Sequence, residues 1–137
     1  MTQRVGPWAE PVDPPIDAVT AGWWDATRGQ RLVVQRCVAC GHLQHYPRAL
    51  CTACGGTALD WQEVEGTGVV DAFTVVHRGL PGYDAPYVVA RVRLAEGPIL
   101  LTNLVGADVE SWRCDEPVTV VWEPLPDGRH LPLFTHA

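Results

Sequence analysis

The sequence predicts a mainly β protein in three parts: an N-terminal helix, a ribbon held by four cysteines, and a small five-stranded barrel. Three observations carry this. Apolar residues, two adjacent tryptophans among them, recur at helical spacing before residue 30. The stretch "RCVACGHLQHYPRALCTACGG" holds two Cys-x-x-Cys pairs separated by ten residues. From Gly66 onward, short runs rich in β-branched residues alternate with Gly, Pro and Asp.

The helix is expected at 15–28. Asp13 is placed to cap it, Pro14 or Pro15 to occupy its first turn, and Gly29 to stop it. Ile16, Val19, Trp23 and Ala26 form its apolar stripe, with Trp24 beside them. Such a face needs a surface to cover, either this chain's own barrel or a partner. Trp23 and Trp24 are the expected anchors in the second case, since tryptophan is enriched at interface hot spots.

The ribbon is expected over 32–60. Each Cys-x-x-Cys-Gly turn aims two thiolates at one point, and two such turns supply a tetrahedral set from Cys37, Cys40, Cys51 and Cys54. This spacing points to one zinc ion per chain. Four sulfurs leave no open coordination position, so the ion is expected to be structural. Sulfur ligation alone does not separate zinc from iron, and an electron carrier would differ by its colour. His42 and His45 lie between the pairs and are read as loop residues, because four thiolates suffice. Cys114 is read as an inert thiol, and His77, near a strand end, has no nucleophile motif to serve.

The strands are expected at 69–77, 87–94, 99–105, 118–123 and 131–134. Ala90, Val92 and Leu94 alternate with Arg91 and Arg93; Val118, Val120 and Trp122 alternate with Thr119, Val121 and Glu123. That period of two gives each strand an inner and an outer face. Five strands are too few for a two-sheet sandwich and suit a barrel of the OB type. The expected division is therefore 1–31 for a helical docking segment, 32–60 for the ribbon and 61–137 for the barrel.

Composition limits the function. Apolar residues make up 47% and charged residues 19% of the 137, which is globular and able to bury a core. All ten basic residues are arginine, so no side-chain amine is available for Schiff-base chemistry. The net charge of -6 disfavours a nucleic-acid partner, although single-stranded binding is a common use of ribbon and OB modules. No apolar run spans a bilayer, and the opening "MTQRVGPWAEPVDPP" lacks a signal peptide's apolar stretch, so no membrane role and a cytoplasmic location are expected.

Taken together, "GQRLVVQRCVACGHLQHYPRALCTACGG", "WQEVEGTGVVDAFTVVHR", "PYVVARVRLAEGPILLTNLVG" and "PVTVVWEPLPDG" resemble the acyl-CoA-associated family that joins a rubredoxin-like zinc ribbon to an OB fold. The resemblance runs from about Ile16 to Phe134. It implies a non-catalytic accessory subunit of a thiolase-superfamily enzyme, preferably a lipid-transfer-protein-like aldolase that cleaves a steroid side-chain CoA thioester by a retro-aldol reaction. Thiolase or acyltransferase complexes are the alternative, and a two-plus-two hetero-oligomer is the implied assembly. The family's cysteines carry over to Cys37, Cys40, Cys51 and Cys54. Tyr46, Cys114 and the tail "FTHA" depart from its usual pattern. If CoA touches this chain, Arg48, Arg91 and Arg93 are the expected phosphate contacts, because guanidinium forks suit phosphate oxygens.

Overall fold

The computed structural model describes residues 5–137; the start of the expected docking segment, residues 1–4, lies outside them. Helix α1 (Ala21–Arg28) leads into a three-stranded sheet ordered β2-β1-β3, made of β1 (Val33–Cys37), β2 (Leu43–Gln44) and β3 (Leu59–Glu63). A closed barrel follows, ordered β4-β5-β6-β8-β7. Its strands are β4 (Thr67–Val76), β5 (Tyr87–Leu94), β6 (Ile99–Leu104), β7 (Pro117–Pro124) and β8 (His130–His136). Among the described residues no helix is long and apolar enough to cross a membrane.

The barrel closes because β4 pairs with β5 along most of its length and with β7 at its start. A bulge between Val70 and Ala72 bends this long strand, as closure of so small a barrel requires. The β6–β8 contact is parallel and the other barrel pairs are antiparallel. On β5, Val88, Ala90, Val92 and Leu94 face inward while Arg91 and Arg93 stand outside, as the alternation requires. Val70, Val118 and Phe134 complete a core closed to solvent.

Strand β7 departs from the expected alternation. Glu123, expected on the outer face, is 1% exposed. The N-terminal segment crosses it, and its carboxylate accepts hydrogen bonds from the amides of Val5 and, at 2.6 Å, Gly6. Two amide donors offset the desolvation of a buried carboxylate.

The helix is also shorter than its periodicity predicts. Asp17 accepts from the Thr20 amide at 2.8 Å and from its hydroxyl at 3.0 Å, forming a turn that delays the first helical residue to Ala21. Asp13 caps nothing; it pairs with buried Arg129 at 3.1 Å. At the other end Gly29 is the C-cap, and the left-handed residue is Gln30, at φ 54°.

Trp23 and Trp24 favour the first of the two expected surfaces, this chain's own core. They are 7% and 8% exposed, packed edge to face with ring centres 4.8 Å apart. The Arg129 guanidinium lies 4.6 Å from the Trp24 ring, a cation–π contact. On the same helix Thr27 accepts from the His130 amide through its hydroxyl and meets the His130 ring through its carbonyl, at 3.2 and 2.8 Å. Most of the tryptophan face thus packs into this chain's own core.

Candidate metal centre and the adjoining trough

The two cysteine turns are built alike. The Gly41 amide donates to the Cys37 carbonyl at 2.8 Å, and the Gly55 amide to the Cys51 carbonyl at 2.9 Å. Both glycines sit at φ 78°, a conformation that disfavours a side chain. All four sulfurs fall within 4.8 Å of one another, with Cys37–Cys54 and Cys40–Cys51 each at 3.7 Å. A disulfide needs about 2.05 Å, so these are not disulfides. A tetrahedral ion with sulfur at about 2.3 Å has sulfur–sulfur edges of roughly 3.8 Å, so the cluster is positioned to bind a metal.

Electrostatics agrees with that fit. The Cys54 amide, then the Ala53 amide, pull the Cys51 thiol down to about 6. The His42 amide favours the Cys40 thiolate, yet desolvation and the other three sulfurs push Cys40 up to about 12. Four adjacent sulfurs cannot all ionise unaided, and a divalent cation removes the conflict. His42 stays out of the set, its Nε2 lying 3.2 Å from the Thr52 hydroxyl.

Two buried glutamines hold the ribbon's long loop. Gln35 donates to the Arg48 carbonyl at 2.9 Å and accepts from the Arg48 amide at 2.8 Å, acting as a substitute strand. Gln44 donates to Gln35 and to the Leu50 carbonyl, at 2.8 and 3.1 Å, and accepts from the Thr52 amide at 2.9 Å. The second cysteine turn and Arg48 are therefore placed by the same pair of amides. Sequence reasoning missed both; a glutamine in each short strand beside a loop rich in unpaired backbone was the available signal.

That loop forms one wall of a trough of about 700 Å³, whose other walls are α1 and the strands β6 and β8. Trp23, Pro47, Leu101 and Leu133 line it, and its only charged lining residues are Arg48 and Arg91. His45 is largely buried in the same wall, and burial pushes its pKa down to about 4. Of the three predicted phosphate contacts, the fold brings two to the trough. Arg93 lies outside its lining and pairs with Asp71, which also meets Arg91 at 3.5 Å. His77 follows the end of β4, and exposed Cys114 lies in a turn before β7.

Residues 24–60 match the model for the ChsH2 rubredoxin-like zinc ribbon domain, and 61–123 that for the ChsH2 C-terminal OB-fold domain. The chain belongs to the ChsH2 family. Family relatives include a DUF35 domain-containing scaffold protein of Pyrococcus furiosus, 31% identical over 67% of this chain and 68% of its own length. A probable enoyl-CoA hydratase alpha subunit of Thermomonospora curvata is 41% identical over 90% of this chain. The 3-oxo-4,17-pregnadiene-20-carboxyl-CoA hydratase alpha subunit of Mycobacterium tuberculosis is 33% identical over 79% of it. This chain spans only 39% and 35% of those two hydratase subunits. Among solved structures, a chain of the Ltp2-ChsH2(DUF35) aldolase superposes with a TM-score of 0.84 at 39% identity, covering 90% of this chain and 98% of that one.

Proposed function

We propose that this chain is a non-catalytic accessory subunit that binds and stabilises a thiolase-superfamily acyl-CoA enzyme. The favoured partner is a lipid-transfer-protein-like aldolase acting on a steroid side-chain CoA thioester. In that retro-aldol reaction the bond between the α and β carbons of a β-hydroxyacyl-CoA breaks, giving a carbonyl compound and a shorter acyl-CoA. The observation that carries the reading is the near-complete match to the DUF35 chain of a solved Ltp2-containing aldolase.

Cys37, Cys40, Cys51 and Cys54 would hold one zinc ion. Bound there, it supplies a cross-link in place of a larger apolar core. Four protein sulfurs leave it no position for substrate, which fits a supporting role. On the barrel, Arg91 and Arg93 share the outer face of β5 and a single carboxylate, leaving one net positive charge for a CoA phosphate. The names of the two longer relatives favour a second reading, in which the same module serves a CoA hydratase subunit.

The test compares turnover of a β-hydroxyacyl-CoA by the purified chain, by a thiolase-type partner, and by the two together. Aldol cleavage only in the mixture supports the proposal. Turnover by this chain alone overturns it, and hydration of an enoyl-CoA in place of cleavage selects the second reading.

A further inference from the structure

Trp23 and Trp24 expose only an edge to the trough, so a partner needs further side chains to hold it. Among the described residues nine large apolar side chains remain exposed, and four of them, Tyr46, Leu80, Tyr83 and Leu101, line the trough or a second hollow of about 280 Å³ beside it. The two hollows share Trp8, Leu101, Thr102 and Asn103, so they form one strip across the barrel. Leu80 and Leu101 are each 72% exposed. Apolar side chains that project this far do not enclose a small ligand; a contiguous row of them marks a protein-binding surface.

Charge narrows the occupant. The chain carries a net charge of -6, yet no aspartate or glutamate lines either hollow. Arg48 is exposed at the trough, and its guanidinium makes no ion pair or hydrogen bond among the described residues. Its backbone is nevertheless fixed by Gln35 at both the amide and the carbonyl. The Tyr83 backbone is tied in turn through a bridge to Trp8, and its ring stacks on Tyr87 at 5.3 Å. Aromatic residues and arginine on a rigid backbone are the types that concentrate binding energy at interfaces, because little ordering entropy remains to be lost.

We infer that this strip, from Arg48 through Leu101 to Leu80 and Tyr83, is the docking face for the thiolase-type subunit, which meets it with apolar side chains flanked by a carboxylate that pairs with Arg48. The inference rests on the accessory-subunit reading and names the surface that serves it.

The probe is the Ltp2 subunit of the solved aldolase, whose own DUF35 chain is 39% identical to this one. Its affinity is measured for the full zinc-loaded chain and for Leu101→Asp, Leu80→Asp, Arg48→Glu and the charge control Arg113→Glu. Arg113 lies off the strip and donates to backbone carbonyls near the short 3-10 turn. Zinc content and circular dichroism first establish that each variant is folded; the leucines project into solvent, so their replacement spares the core. At least a tenfold loss for Leu101→Asp and Arg48→Glu, with wild-type affinity for Arg113→Glu and a salt dependence that weakens in Arg48→Glu, supports the inference. Wild-type affinity in the folded Leu101, Leu80 and Arg48 variants overturns the docking face and leaves the accessory reading standing. A Leu101→Asp complex that assembles normally but needs more acyl-CoA for half-maximal rate assigns the trough to the ligand and also overturns it. A wild-type chain that does not bind Ltp2 at all overturns both.

Discussion

At the scale of single residues, the groups that set the site are amides and one imidazole. Gln35 supplies both halves of the contact that positions Arg48. Replacing it by leucine takes the partner from the part-buried amide and carbonyl of Arg48, and each lost hydrogen bond costs about 0.5–1.5 kcal/mol. Gln35→Leu should therefore lose about 1–3 kcal/mol in urea unfolding, with altered metal retention, since Gln44 and the second cysteine turn hang on the same network. His45 gives a pH signature. Its folded pKa, about 4, lies below the ordinary value of 6.5 because burial disfavours the imidazolium. Between those values the unfolded chain takes up the proton more readily than the folded one. The stability held by neutral His45 is thus complete above about pH 6.5 and falls towards pH 4, by up to about 1.4 kcal/mol per pH unit. The difference in unfolding free energy between wild type and His45→Phe should shrink as pH falls through that window. A constant difference would mean that His45 is protonated within the fold. Neither role was legible in the sequence, because the glutamines' partners six to thirteen residues away and the burial of His45 both depend on how the loop closes.

At the scale of elements, legibility followed how strongly each segment's pattern was local. Strand β5 was readable to the residue, since Arg91 and Arg93 fix its outer face by themselves. The helix start was misplaced because Ile16 and Val19 continue the helical spacing while the Asp17–Thr20 turn breaks the backbone. Within the ribbon, the cysteine turns were readable and the sheet was not, for β2 has two residues and therefore no period. If the four cysteines hold a metal as proposed, the ribbon's smallness makes it depend on that cross-link. Cys37 and Cys51 are buried at 1% exposure, so a metal lost from them leaves polar groups inside a unit with little apolar surface of its own. Cys51→Ser, or chelation of the native chain, should release one equivalent of zinc and melt the 32–60 segment before the barrel. Metal analysis with hydrogen exchange checks both halves. Full zinc occupancy in Cys51→Ser would count against that ligand.

At the scale of the whole molecule, the order helix, ribbon, barrel was legible because the hydrophobic period changes where the architecture changes. What the sequence could not show is which faces the three parts keep for themselves. Residues more than a hundred positions apart decide that: Thr27 meets His130, and Glu123 gathers the amides of Val5 and Gly6. The result hides most of the tryptophan surface on α1 and leaves Arg91 and Arg93 outside. Arg91 and Arg93 have the Asp71 carboxylate between them, so a phosphate arriving at that face meets one uncompensated positive charge. Contacts to a nucleotide remote from the reacting carbons bind the ground state and the transition state alike, and their loss raises KM more than it lowers kcat. The double variant Arg91→Ala, Arg93→Ala also leaves Asp71, only 21% exposed, without its cations, so stability must be checked before kinetics. In an assembled, folded complex the expected outcome is a severalfold rise in KM for the CoA thioester with kcat nearly kept. A fall in kcat at constant KM would place these arginines in the chemistry of the partner, and unchanged kinetics would assign CoA recognition to the partner alone.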